Sequence, residues 1–178
     1  VYKRQVEQWV HCAFSKASGT LKIFQDGTEV ASVSDSQSWD FSNGSGMSIN
    51  KAGWNTVEYF HGYQRDFRIT KGVGRYTSNF TPPAAGSLTV DSDTKLLVFD
   101  TPYLRDKSAT NHAMTAHGNP RLLGYGATDT AEYTTGDNSG SIACDGTGDS
   151  IQISGGSDFT FTGDFTAECW VYCTAHTN

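Results

Sequence analysis

The sequence lacks long apolar runs, helical periodicity and a basic charge balance. No stretch approaches the roughly 20 apolar residues a membrane-spanning helix requires, and no positively charged segment leads into an apolar one as in a secretory leader. The chain opens at Val1, which leads us to expect a processed or partial polypeptide. Thirteen Lys and Arg against nineteen Asp and Glu leave a net charge of −6. Nucleic acid or an anionic membrane would call for a basic face, so neither is expected as the principal partner.

Cysteine is scarce and badly placed for stapling. The four residues Cys12, Cys144, Cys169 and Cys173 show neither a CxxC pair nor a histidine pattern suited to zinc. Cys12, Cys144 and Cys169 sit in the strand-like runs "WVHCAFS", "SIACDG" and "TAECWVY", so free buried thiols are expected. Cys169 and Cys173, four apart on one strand, would lie about 13 Å from each other, beyond disulfide reach. A disulfide scaffold is thereby excluded.

What is present favours β-structure. In 178 residues, 37% are hydrophobic and 12% aromatic, enough for a core, while nineteen glycines against 18% charged residues favour short strands and many turns. Period-two alternation predicts strands at 9–14, 20–25, 28–33, 47–50 and 63–69, the second and third flanking Asp26-Gly27, a strong hairpin signal. "YQRDFRI" alternates so cleanly that Tyr63, Arg65, Phe67 and Ile69 are expected on one face, with Tyr63 in the core. Pro82-Pro83 then ends ladder bonding, and residues 84–94 read as linker. Further strands are predicted at 95–100, 112–118, 141–146, 149–154 and 163–173. Short strands between Gly/Asp/Ser turns, without βαβ rhythm, imply an all-β antiparallel sandwich.

"QWVHCAFSKASGTLKIFQDGTEVAS" resembles the late hairpin of laminin G-like, concanavalin A-like jelly rolls, and "HGYQRDFRITKGVGRYTSNFTPP" resembles their last strand and exit. "KLLVFD", "SIACDGTGDSIQI" and "SDFTFTGDFTAECWVY" are similar to the opening strands of the same domain, in the form found in bacteriophage and bacterial surface proteins. The order is reversed. Residues 1–83 look like the C-terminal half of the jelly roll, 84–94 join them, and 95–178 look like the N-terminal half. Either the chain straddles a junction between successive domains, or its halves pack into one sandwich through pairing of 63–69 with 95–99. An isolated half would leave its inner face in water, which favours co-packing.

Catalytic patterns are thin. Asp164 and Glu168 share a strand face, yet at 3.3 Å per residue they stand about 13 Å apart, too far for the carboxyl pair of a glycosidase. The histidines have no nucleophile at a suggestive spacing, and no Gly-rich loop opens a helix to cradle phosphate. The chain is expected not to be an enzyme. The resemblance implies a structural calcium, for which Asp66, Asp100 and Asp106 are the candidate ligands, oxygen donors of the kind Ca²⁺ takes; solvated turn aspartates are the plainer reading. Trp39, Trp54 and Tyr59, interleaved with Asn43 and Asn55, form the candidate set for sugar or partner binding, as against simple core filling.

The resemblance therefore implies a non-catalytic structural or adhesive module of a phage virion appendage, a fibre or decoration protein, presenting loops to a glycan or protein. The alternative is a carbohydrate-binding module of a secreted bacterial multidomain enzyme. Virion or cell-surface proteins are the expected partners, in an oligomer or larger assembly, at the virion or cell surface.

Overall fold

A computed structural model describes residues 7–42, 46–51, 58–124 and 140–174. Among them there is one short 3₁₀ turn, Ser157–Phe159, and otherwise only strands and loops. No helix among the described residues is long and apolar enough to cross a membrane.

The first hairpin follows directly from the sequence. β1 (Trp9–Ala17) pairs antiparallel with β2 (Thr20–Gln25), which turns at Asp26-Gly27 into β3 (Thr28–Ser34). Asp26 and Gly27 both adopt positive φ, +48° and +75°, the geometry of a two-residue turn whose twist matches its strands. Two short strands follow, β4 (Trp39–Asp40) and β5 (Met47–Ile49), and then the long β6 (His61–Lys71). The second segment supplies β7 (Thr94–Val98), β8 (Met114–His117), β9 (Arg121–Leu123), β10 (Ser141–Asp145), β11 (Ser150–Ile153), β12 (Thr160–Phe161) and β13 (Phe165–Cys173).

The main sheet runs β3-β2-β1-β13-β6-β10-β9, and β6 is long enough to pair β7 along the edge that it also offers to β10. β13, last in sequence, thus lies in the middle of the sheet, antiparallel to both β1 and β6. Residues from the two ends of the chain alternate across one ladder. β6 returns through residues 72–93 to pair with β7, Phe67 facing Val98 and Ile69 facing Leu96.

Two smaller sheets, β5-β11-β8 and β12-β4, face the main one. Leu21, Ile69, Leu96, Val98, Ile142 and Phe165 of the main sheet pack on Met47, Ile49, Ile151, Ile153 and Phe161 of the others. Most are all but sealed from solvent. Burying one such side chain contributes about 1.5–3 kcal/mol, so this shared interior is what holds the layers together. The architecture is an all-β antiparallel sandwich, as the alternation implies.

Candidate functional site

The core consumes one face of the main sheet; the site lies on the other. Directly opposed residues share a face, so the register of β1, β13 and β6 sets out the outer side chains in rows. One row is Ala13, Glu168 and Arg68; the next is His11, Trp170 and Arg65; the last is Trp9, Tyr172 and Tyr63. These rows exist because of an irregularity in β6. Asp66 takes φ of +52°, and between Arg68 and Arg65 the strand runs one residue longer than β13 does between Glu168 and Trp170. Such a bulge inverts the alternation. Phe67 and Ile69 therefore face the core while Tyr63 and Arg65 face outward. The expectation of one shared face for Tyr63, Arg65, Phe67 and Ile69, with Tyr63 in the core, is corrected.

Half of this outer face is sealed. Residues 72–90, linker-like in their later part, cross it as a strap. The Arg75 amide donates to Thr166 Oγ1 at 2.8 Å, the Tyr76 amide to Ser15 Oγ at 3.2 Å, and the Phe80 amide to the Gly27 carbonyl at 2.9 Å. Farther along, Gly86 N–H donates to Asp66 Oδ2 at 2.7 Å, and Arg68 Nη1 donates to the Thr89 carbonyl at 3.2 Å. Gly27 must be glycine for this approach, since a Cβ there would stand 1.9 Å from the Phe80 carbonyl oxygen. Tyr76 and Phe80 stack at 3.7 Å and pack over Phe24, which is 1% exposed.

Glu168 lies beneath the strap, 2% exposed, and its carboxylate is fully engaged. Oε1 accepts from Arg68 Nε at 2.9 Å and Nη2 at 2.5 Å; Oε2 accepts from Tyr76 Oη at 2.6 Å and faces His11 Nε2 at 3.2 Å. Burial pushes the carboxyl up, but the His11 hydrogen bond, the Arg68 charge and the Tyr76 hydroxyl outweigh it and hold Glu168 below its ordinary value. Tyr76 is pushed up, chiefly by burial and then by the Glu168 charge. Asp164, the residue before β13, accepts the Ser18 amide at 2.9 Å. The arrangement ties strap to sheet and leaves Glu168 no oxygen with which to serve a substrate.

Beyond the strap the face opens into aromatics. Trp9 and Tyr172 have ring centroids 5.7 Å apart, Tyr172 and Tyr63 are 5.9 Å apart, and all three are half-buried. The Arg65 guanidinium lies 5.9 Å from the Trp9 ring centroid, and Trp170 packs edge-on to His11 at 5.2 Å. Trp9, Tyr172 and Trp170 were not foreseen as site residues. Their signal was the period-two pattern in "QWVH" and "ECWVY", where aromatics alternate with the Val and Cys that face inward.

Of the expected binding set, Trp39 and Tyr59 fall among the described residues. Trp39 pairs with Phe161, contacts Phe14 at 5.5 Å and packs against the core, its Nε1 donating to Asp35 Oδ2 at 2.7 Å. It is partly buried against the core, in a segment that forms the two-residue β4. Tyr59 forms an isolated bridge with Lys51. Trp54, Asn43 and Asn55 lie outside the described residues.

Of the three candidate calcium ligands, Asp66 and Asp100 lie within electrostatic reach of each other, and Asp106 is committed to its own loop. Asp106 accepts from the amides of Leu97, Ser108 and His112, from Ser108 Oγ and from His112 Nδ1, so it is the hub of its own loop and has no lone pair to spare. Asp66 and Asp100 are both buried, and burial, moderated by the Gly86 amide and Arg65, pushes Asp66 up to about 6. Asp100 is ion-paired with Lys107. No cluster of three or more His, Cys, Asp or Glu suited to a metal occurs among the described residues. The cysteines are free; Cys12 is pushed up to about 11 and Cys144 and Cys169 to about 12, mainly by burial, which keeps them as unreactive thiols.

Residues 2–73, which hold β1 to β6, match the family model of the concanavalin A-like lectin/glucanases superfamily. No curated protein and no solved structure matches the chain. The match supports the laminin G-like, concanavalin A-like resemblance, and a domain of this kind is compatible with binding carbohydrate or protein.

Proposed function

We propose that the chain is a non-catalytic structural and adhesive module that binds a glycan or protein partner, carried in a phage virion appendage or a bacterial surface protein. The observation that carries the reading is the state of Glu168. It is the acid on the outer face with the strongest catalytic neighbourhood, and His11, Arg68 and Tyr76 occupy both its oxygens under the strap. A glycoside hydrolase of the usual two-carboxyl kind needs one carboxyl free to protonate a leaving group and another to act as base or nucleophile. Here the acid braces the scaffold, and the scaffold offers surface. The virion or cell-surface setting rests on the sequence resemblance.

Purified virions or surface fractions, probed with an antibody to the chain, test the setting. We expect the chain to travel with assembled particles. Turnover of β-glucans by the full chain, abolished by Glu168→Gln, would overturn the non-catalytic reading.

A further inference from the structure

We infer that His112 is a pH-operated clasp. It joins the loop 99–113 to the 3₁₀ turn Ser157–Phe159 when its imidazole holds two protons, and lets go of the turn when it holds one.

The imidazole stands between two carboxylates from distant parts of the chain. Nδ1 lies 2.8 Å from Asp106 Oδ2 in its own loop, and Nε2 lies 3.4 Å from Asp158 Oδ2 in the turn. The ring rests against Phe159, centroids 4.9 Å apart, and the side chain is 6% exposed. Asp106 is buried, while Asp158 keeps an open side to solvent. Among the described residues these are the charged groups within ion-pair reach of the ring. The buried pair Asp66 and Asp100 sits farther back, at the start of the loop, where the Asp66 amide meets the Phe99 carbonyl at 3.4 Å.

An ionised carboxylate accepts hydrogen bonds and donates none. Asp106 Oδ2 therefore needs a proton on Nδ1, and a neutral ring that supplies it turns the bare Nε2 lone pair towards the Asp158 charge. A second proton converts that repulsion into an ion pair, because both nitrogens of an imidazolium donate. Histidine is the side chain suited to making this change near neutral pH. The remaining ties do not depend on the second proton. Asp106 still accepts the amides of Leu97, Ser108 and His112, and Thr110 Oγ1 still donates to Asp158 Oδ2 at 3.0 Å. Acid thus tightens one seam at the end of the sandwich, between the loop that leads into β8 and the turn that leads into β12. Neutral pH loosens the seam and leaves the core layers in place.

The test is amide hydrogen exchange of residues 106–112 in the full chain, at about pH 5.5 and about pH 7.5, either side of the ordinary imidazole value of about 6.5. Each rate is divided by the intrinsic rate at its own pH, so that protection reports local opening. Protection is expected to fall by about twofold to fivefold at the higher pH, the worth of a partly exposed ion pair. Asp158→Asn keeps an acceptor for Thr110 and removes the charge, and it should abolish the difference. His112→Asn, which keeps a donor towards Asp106 and has no Nε2, should do the same. Imidazole nitrogen spectra should show the proton leaving Nε2 while Nδ1 keeps its own. Protection independent of pH in the wild type would overturn the clasp, and so would proton loss from Nδ1. A fall that survives in Asp158→Asn would place the dependence at the Asp66–Asp100 pair and overturn it equally.

Discussion

The two halves of the outer face are built on the same three strands, one row after another, yet they are finished differently. Under the strap, polar side chains are paired to exhaustion: Glu168 with Arg68, Tyr76 and His11, and Ser15 and Thr166 with strap amides. Two rows farther along, the face ends in aromatic rings that no strap residue among those described is recorded as touching. A strand pair can thus carry a buried ion network and a row of partly exposed aromatics side by side, provided each occupies its own rows. Charged groups need burial with partners, because one left alone in the interior is costly; aromatics tolerate half-exposure, because their rims are polar.

The widest break in that comparison comes from removing β13, which serves both halves. Residues 1–83 alone keep β1 and β6 but lose the strand between them and much of the core. We expect that fragment to show no cooperative unfolding transition by circular dichroism, and a sharp melt would contradict the shared sheet. Next, Glu168→Ala strips the sealed half of its anion and strands Arg68 in the interior. It should cost about 3–5 kcal/mol, read as a lower urea midpoint, while a change under about 1 kcal/mol would show that the network is idle.

Titration separates the halves more finely. Asp66, held near 6 in the fold against an ordinary value of 3.8, binds its proton more tightly folded than unfolded. Its contribution is therefore fully present below about pH 4 and is lost as the pH rises through about 6, a fall of about 2–3 kcal/mol. Glu168 is shifted the other way. Its contribution is present above the unfolded value and fades as the pH drops through its lowered folded value. Urea midpoints measured from pH 4 to 8 should fall with rising pH in the wild type and flatten in Asp66→Asn; parallel profiles would reject the assignment. The smallest expected change in stability is at the open row. Trp9→Ala should cost only about 1 kcal/mol in denaturant, and a loss as large as that of Glu168→Ala would make the ring a structural one.

Local patterns in the sequence were enough for most strands. The Asp26-Gly27 hairpin forms where the dipeptide sits, and the alternating runs at 20–25 and 63–69 lie within observed strands. What escaped was whatever depends on partners far away in sequence. Trp39 looked like a loop aromatic because its core neighbours Phe14 and Phe161 lie 25 and 122 positions away. The aromatic row needs residues 9, 63 and 172 at one level, and no local window contains them. The bulge was the most consequential omission. An aspartate in mid-strand, disfavoured in strands and tolerant of positive φ, was its one visible sign, and a single extra residue there changed which side of the sheet Tyr63 and Arg65 occupy.

The placement of β13 also dictates the order of events during biosynthesis. β13 follows β1 by about 150 residues in the chain, and although β1 can pair β2 and β6 can pair β7 and β10 beforehand, the edges of β1 and β6 that β13 joins stay open until it is made. A topology so rich in long-range contacts folds slowly, and its waiting edges invite intermolecular pairing meanwhile. Nascent chains stalled before residue 165 should therefore recruit chaperones and remain protease-sensitive, with resistance gained once the nine residues of β13 are available to pair.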